Sequence, residues 1–130
     1  MTDRACAAPA PTVFVIDDDP AVRIALDRLF RGAGWIVRTF ASAEEFLQQN
    51  LEVAQGCLVA DVHLGRMSGL ELHATLGSRA GAIPVILTSG VDDVNMERQA
   101  LRLGAIAFFR KPFEAGALLD SVRQGLAVRR

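Results

Sequence analysis

The feature that most constrains this chain is a series of short apolar runs, each of which ends in polar residues. The clearest runs occupy residues 13–16, 57–60, 84–87 and 105–109. Each has the length and the bulky side chains of a buried strand. A strand that is apolar on both sides needs cover on both faces, as in a parallel sheet packed between helices. The sequence therefore predicts an α/β fold.

Helical patterns alternate with these runs and complete five strand–helix repeats. Residues 20–31 form the first predicted helix, with Asp19 as its N-cap and Gly32 and Gly34 ending it, and residues 35–40 follow as the second strand. In a five-stranded sheet of order 2-1-3-4-5, the switch point lies between strands one and three. We therefore predict a doubly wound parallel sheet with five helices.

Two capping boxes mark further helix starts. Ser42 and Glu45 have capping-box spacing, as do Ser68 and Glu71. They predict the starts of the second and third helices, near residues 43 and 69. The fourth and fifth helices are predicted at residues 92–103 and 114–128.

The size and the charge of the chain disfavour several classes of protein. With 130 residues, 51% of them hydrophobic, the chain fits one domain, placed at residues 12–130 after a flexible tail at residues 1–11. A formal net charge of -1 disfavours direct binding of nucleic acid by this domain. No run reaches the ~20 apolar residues of a membrane span. Cys6 and Cys57 make a poor disulfide framework, so we expect a cytoplasmic protein.

Acidic residues end the first and third strands. Asp17 and Asp18 follow strand one, and Asp61 follows strand three. Because the carboxyl ends of parallel strands meet at one edge of the sheet, these side chains are expected to share one site. Crowded carboxylates repel one another unless a cation joins them, and all-oxygen ligation suits Mg²⁺. The sequence therefore predicts Mg²⁺ as the cofactor.

A hydroxyl and an ammonium follow the other two strands. Thr88 comes after strand four, and Lys111 comes after strand five. A transferring phosphoryl group spreads negative charge over its oxygens, which a metal ion, an ammonium and a hydroxyl can each stabilise. With Mg²⁺ on Asp17 and Asp18, Asp61 can act as a nucleophile toward phosphorus. The pattern predicts phosphoryl transfer, with Asp61, Thr88 and Lys111 as the reacting and stabilising groups.

This order of residues at successive strand ends, completed by Pro112, resembles the receiver domain of two-component response regulators. Residues 22–23, 42–47 and 111–113 are similar to receivers of the FixJ-like subgroup. The resemblance implies a flavodoxin-like receiver fold. It also implies transfer of a phosphoryl group to Asp61 from the phosphohistidine of a histidine kinase or a phosphotransfer protein.

The resemblance further implies which groups hold the metal ion. Mg²⁺ is expected on Asp18, Asp61 and the main-chain carbonyl of His63. Asp17 is expected to act mostly through water. The predicted metal site therefore consists of Asp17, Asp18, Asp61 and the carbonyl of His63.

A conformational switch is also implied by the resemblance. Thr88 is expected to swing toward the phosphoryl group, and the ring of Phe108 to turn into the space that it leaves. The surface of the fourth helix, fifth strand and fifth helix then changes, and a homodimer can form through it. The Lys111–Pro112 bond is expected to be cis. The chain is thus expected to be a signalling switch that assists its own phosphorylation and dephosphorylation, and not an enzyme with a separate substrate.

Two other classes of function remain open. The first is a phosphorylation-independent interaction module on the same fold, against which the intact acidic pocket argues. The second is a Mg²⁺-dependent phosphohydrolase of the haloacid dehalogenase kind, whose nucleophile would be Asp17 at the end of strand one. The Asp-x-Asp pattern of those enzymes fits residues 17–19 weakly.

Overall fold

Five parallel strands and four helices make up the part of the chain that the structure describes. A computed structural model describes residues 11–48, 56–63, 68, 71–72, 83–90 and 94–127. The strand order is β2-β1-β3-β4-β5, so the predicted order and fold class are confirmed. The strands are β1 (Thr12–Ile16), β2 (Ile36–Phe40), β3 (Gly56–Asp61), β4 (Val85–Ser89) and β5 (Ala107–Arg110). The helices are α1 (Pro20–Gly32), α2 (Ala43–Gln48), α3 (Val94–Arg102) and α4 (Ala115–Ala127).

The helix predicted from residue 69 onward lies outside the described residues, apart from Glu71 and Leu72, which are helical. Its capping box is present. Ser68 Oγ accepts the Glu71 amide at 3.0 Å, and Glu71 Oε1 accepts the Ser68 amide at 2.9 Å. Four helices are therefore delimited where five were predicted, and α3 and α4 correspond to the predicted fourth and fifth helices.

Helices cover the sheet on both faces. Neighbouring residues of a strand point to opposite faces, so each strand contributes to two apolar cores. Leu26 of α1 and Leu118 of α4 are buried in one core. Phe46 of α2 and Ala100 of α3 are buried in the other. This double cover explains why β1, β3 and β4 are apolar on both sides, and it leaves the edge at their carboxyl ends for polar groups.

Gly34 closes α1 and fixes where β2 starts. It has a φ of 96°, which favours glycine. The Gly34 amide donates to the Arg31 carbonyl at 2.9 Å, and the Trp35 amide donates to the Phe30 carbonyl at 3.3 Å. These two bonds form a Schellman motif, and the rings of Phe30 and Trp35 add its apolar contact at 6.0 Å. The predicted role of Gly34 in ending the helix is confirmed.

A Schellman motif at Gly104 ends α3 in the same way, and β5 is therefore shorter than the apolar run of residues 105–109. Gly104, with a φ of 101°, donates to the Leu101 carbonyl, and Ala105 donates to the Ala100 carbonyl, both at 3.0 Å. Ala105 therefore belongs to the closing turn of α3 and not to the strand. The prediction of a strand from residue 105 was wrong by two positions, because β5 starts at Ala107.

The predicted tail at residues 1–11 lies outside the described residues, except for Pro11. Within the described part of the chain, every helix is too short or too polar to cross a membrane.

Candidate functional site

The buried polar side chains of the described residues gather at the carboxyl edge of the sheet. They belong to Asp17, Asp61, Thr88 and Ser89, and as whole residues these are 1%, 7%, 2% and 0% exposed. Asp17 directly follows β1, Asp61 ends β3, and Thr88 lies opposite Asp61 on β4. Because β1 and β3 are neighbours, the carboxylates predicted from the sequence meet at the switch point of the sheet.

Lys111 joins the two buried carboxylates. Its Nζ lies 2.7 Å from Asp17 Oδ2 and 2.8 Å from Asp61 Oδ2. Burial, the largest single influence, lowers the pKa of Lys111, but the hydrogen bonds and negative charges of Asp17 and Asp61 together outweigh it. The pKa of Lys111 is therefore raised above its ordinary value. The side chain is a stable positive charge at neutral pH.

The backbone at the end of β5 brings Lys111 to this position. Its amide donates to the Ser89 carbonyl of the neighbouring strand at 2.7 Å. The peptide bond between Lys111 and Pro112 is cis, as the sequence resemblance implies. Lys111 is thus tied to β4 by its backbone and to β1 and β3 by its side chain.

Asp17 and Asp61 each begin a tight turn. Asp17 Oδ1 accepts the Asp19 amide, and Asp61 Oδ1 accepts the His63 amide, both at 2.9 Å. Asp19 in turn accepts the Ala21 amide at 2.9 Å and caps α1, as predicted. The two strand ends are therefore closed by the same local hydrogen bond.

Three carboxylates are close enough to hold one cation. Asp17, Asp18 and Asp61 each offer an oxygen, and these oxygens lie within 4.8 Å of one another. Asp18 is exposed, whereas the other two side chains are buried. Carboxylate oxygens in this number and at this spacing fit Mg²⁺, which takes some protein oxygens and keeps several waters.

Arg23 of α1 also contacts the site, a contact that the sequence pattern does not predict. Its Nη1 donates to the main-chain carbonyl of Asp17 at 2.7 Å, and the side chain is half-buried. The signal available in the sequence is weak, since an arginine four residues after a helix cap usually faces solvent. The contact depends on the angle at which α1 packs on the sheet, which the sequence pattern does not specify.

Thr88 and Phe108 lie on neighbouring strands but are not opposite each other. In the register of β4 and β5, Phe108 is opposite Leu87. The Thr88 carbonyl accepts the Val62 amide at 2.9 Å, which ties the turn after Asp61 to β4. Phe108 is half-buried and packs against the core on the α2 and α3 face, together with Met96.

An apolar cleft opens beside the site. It has a volume of about 330 Å³ and lies between α1 and the segment that follows Lys111. The cleft therefore adjoins the residue that bridges the two carboxylates, and it is open to solvent. The residues that line it are Ala21, Val22, Ala25, Leu26, Lys111, Pro112 and Phe113.

Comparisons with known proteins agree with this geometry. A family-wide sequence pattern described as response regulator receiver domain matches residues 13–123. Transcriptional regulatory protein TdiR of Thauera aromatica is 40% identical over 121 residues, which are 93% of this chain and 53% of TdiR. Transcriptional regulatory protein FixJ of Azorhizobium caulinodans is 40% identical over 114 residues, which are 88% of this chain and 54% of FixJ. The chain thus spans about half the length of these curated relatives.

Solved structures give the same result. The crystal structure of FixJ-N matches with a TM-score of 0.83 and 34% sequence identity. The match covers 92% of this chain and 95% of the FixJ-N chain.

Proposed function

The chain belongs to the family of response regulator receiver domains, and from that membership we propose that Asp61 accepts a phosphoryl group from a phosphohistidine. The donor is a histidine kinase or a phosphotransfer protein. The observation that carries the proposal is the position of the Asp61 carboxylate. It ends the middle strand of the sheet, beside the acidic residues after β1 and 2.8 Å from the Lys111 ammonium.

In the proposed transfer, an oxygen of the Asp61 carboxylate forms a bond to phosphorus. The bond between phosphorus and the histidine nitrogen breaks, and the nitrogen keeps the electron pair. Lys111 and the hydroxyl of Thr88 stabilise charge on the phosphoryl oxygens. The raised pKa of Lys111 supports this role, because the ammonium stays charged. Hydrolysis of the aspartyl phosphate restores the carboxylate, so the domain assists its own phosphorylation and dephosphorylation.

Mg²⁺ is the cofactor that we propose for this site. Asp18, Asp61 and the main-chain carbonyl of His63 are the proposed protein ligands, and Asp17 acts mostly through water. The spacing of the three carboxylates supports this assignment. When bound, the ion supplies positive charge to a phosphoryl oxygen.

Thr88 and Phe108 are the proposed switch residues. Movement of the Thr88 hydroxyl toward the phosphoryl group leaves room for the Phe108 ring, which is half-buried beside Met96 of α3. A turn of that ring changes the contact between β5 and α3. The surface of α3, β5 and α4 is therefore the proposed output surface, through which the phosphorylated domain forms a homodimer.

The apolar cleft is the proposed docking site for the phosphohistidine-bearing partner. It adjoins Lys111, so an apolar helix face seated there brings its histidine close to Asp61. Pro112 and Phe113 form one wall, and α1 forms the other. An apolar cleft suits the apolar face of an amphipathic helix better than it suits nucleic acid.

We place the receiver domain at residues 12–130 and the tail at residues 1–11. The two curated relatives are transcriptional regulators about twice as long as the matched segment. We propose that this domain controls the output of such a regulator without binding nucleic acid itself. A cytoplasmic location stays a prediction from the sequence.

The comparisons support neither of the other two classes of function. The matched family is the receiver domain, over residues 13–123. Asp17 is also nearly inaccessible, with an exposed fraction of 1%, which is unfavourable for a nucleophile that must reach a small phosphoester.

The test is the mass of the intact protein after incubation with acetyl phosphate, with and without Mg²⁺. We expect one Mg²⁺-dependent phosphoryl adduct on the wild type and none on Asp61→Asn. The chain contains a single lysine, so acetylation by the same reagent is limited to Lys111 and the N-terminus and is recognised by its different mass. A folded wild-type protein that gains no phosphoryl adduct would refute the proposal.

A further inference from the structure

We propose that Arg23 is a positioning residue of the acidic site, which holds the turn that carries Asp17 and Asp18. The inference rests on the Mg²⁺ site proposed above. Arg23 Nη1 donates to the Asp17 carbonyl at 2.7 Å from a half-buried position. A hydrogen bond from a guanidinium is stronger and shorter than one between neutral groups.

The carbonyl that Arg23 holds belongs to the peptide unit that joins Asp17 to Asp18. That unit is planar, so fixing its oxygen also fixes its nitrogen and the Cα of Asp18. The preceding peptide unit is held by the Asp17 amide, which donates to the Phe40 carbonyl at 3.2 Å. Arg23 and Phe40 therefore restrain the two successive peptide planes at the start of the turn.

Asp18 depends on this restraint more than the other acidic residues do. Asp17 and Asp61 each have both carboxylate oxygens in hydrogen bonds. The exposed carboxylate of Asp18 has no such partner within the described residues, although it belongs to the same acidic group. The backbone of the turn is therefore what places this carboxylate beside the other two.

The positive charge of Arg23 opposes the binding of a cation, whereas its hydrogen bond to the turn supports binding. Loss of the charge would strengthen Mg²⁺ binding by removing repulsion, whereas loss of the hydrogen bond would weaken binding by freeing the turn. We expect the second effect to dominate, because groups that orient metal ligands contribute about 10- to 100-fold to metal affinity. The direction of the change in Mg²⁺ affinity therefore distinguishes a positioning role of Arg23 from an effect of its charge alone.

Arg31 provides a matched control on the same helix. Its Nη2 donates to the Val37 carbonyl of β2 at 3.1 Å, over the same separation of six residues along the chain. It also pairs with Asp27 at 2.6 Å. Arg31 thus ties α1 to a backbone carbonyl at the sheet as Arg23 does, but its hydrogen bonds go to Val37 and Asp27 and not to the carbonyl of Asp17.

The experiment is isothermal titration calorimetry with Mg²⁺ on the wild type, Arg23→Met, Arg23→Lys and Arg31→Met. We expect about tenfold weaker binding for Arg23→Met, an intermediate value for Arg23→Lys, and a change below about twofold for Arg31→Met. With acetyl phosphate, the Mg²⁺ concentration for half-maximal rate should rise in Arg23→Met, while the rate at saturating Mg²⁺ falls much less.

Binding by Arg23→Met that equals or exceeds that of the wild type would overturn the inference, and so would an equal loss in Arg31→Met. If Arg23→Met does not fold, Arg23→Lys decides: binding at least threefold weaker than in the wild type supports the inference, and unchanged binding overturns it. A wild type that binds no Mg²⁺ would instead refute the site itself. The two failures are therefore distinguishable.

Discussion

Asp17 and Asp61 have the same hydrogen bonds but different surroundings. In both, Oδ1 accepts the amide two residues later at 2.9 Å, and Oδ2 accepts Lys111 Nζ at 2.7 or 2.8 Å. Asp61, however, lies on the middle strand with Thr88 opposite on β4. Asp17 lies between β3 and β2, where its backbone contacts Phe40, and its carbonyl is held by Arg23.

The difference teaches that local hydrogen bonding does not assign roles to the two carboxylates. Their side chains are 2% and 9% exposed, so Asp61 is the more accessible of the two. It is also the one with a hydroxyl on the neighbouring strand. These surroundings favour Asp61 as the nucleophile and Asp17 as a fixed acceptor that helps to hold charge.

The largest expected effect distinguishes the two carboxylates by where the phosphoryl group goes. Asp61→Asn should reduce phosphorylation by acetyl phosphate by at least about 100-fold, because the nucleophile is lost. Asp17→Asn should still be phosphorylated, and on Asp61. Borohydride reduction of the acyl phosphate to homoserine, followed by peptide mass mapping, locates it. Modification of Asp17 in the wild type would reverse the assignment.

The next effect concerns Mg²⁺ affinity. Asp17→Asn should weaken Mg²⁺ binding by about 10- to 100-fold, since it removes a charge and an orienting group beside the ion. Asp19→Asn is the control within the same turn, because asparagine caps a helix about as well as aspartate. It should change the affinity by less than about threefold. Calorimetry on the two variants tests this, and equal losses would mean that total charge alone matters.

Much of the fold was predictable because the apolar runs and the helix closures are local signals. The runs that became β1, β3 and β4 are apolar on both sides, and Gly34 and Gly104 end helices where glycine is needed at positive φ. The strand order followed from the rules for parallel sheets. The start of β5 was missed because the closure at Gly104 competes with the strand for Ala105.

The candidate site was predictable in its members but not in its contacts. Parallel strands bring their carboxyl ends together, so the meeting of Asp17, Asp61 and Thr88 follows from order alone. The bridging of two carboxylates by Lys111 and the contact of Arg23 depend on the reach of long side chains. Those contacts are set by the packing of the elements, which sequence patterns leave undetermined.

A smaller effect concerns stability without Mg²⁺. Lys111→Ala leaves Asp17 and Asp61 buried and adjacent without their bridging cation. We expect a loss of about 1–3 kcal/mol in the free energy of unfolding, reduced from the value for fully buried pairs because Lys111 is 23% exposed. In the Lys111→Ala background, the further substitution Asp17→Asn should restore part of the lost free energy of unfolding. Urea unfolding of the wild type, the two single variants and the double variant measures the coupling energy between Lys111 and Asp17. Losses that simply add would contradict an interaction between them.

The smallest expected effect appears at alkaline pH. The pKa of Lys111 is raised in the folded protein, so its contribution to stability is fully present below the unfolded value of about 10.4 and is lost as pH rises through the higher folded value. The sequence has one lysine and no tyrosine, so the two cysteines are the nearest other groups to titrate. Wild-type stability should fall toward that of Lys111→Met above about pH 10.4, as measured by urea unfolding. A constant difference up to pH 12 would contradict the raised pKa.

The bridge made by Lys111 also sets an order of events during synthesis. The lysine lies 94 residues beyond Asp17 and 50 beyond Asp61. A ribosome adding about 5–20 residues per second makes Asp17 roughly 5–19 s and Asp61 roughly 3–10 s before their counter-ion. Until β5 docks, the growing chain holds a pair of like charges that oppose their own burial. The acidic pair at the edge of the sheet therefore gains its bridging cation only after β5 has been synthesised.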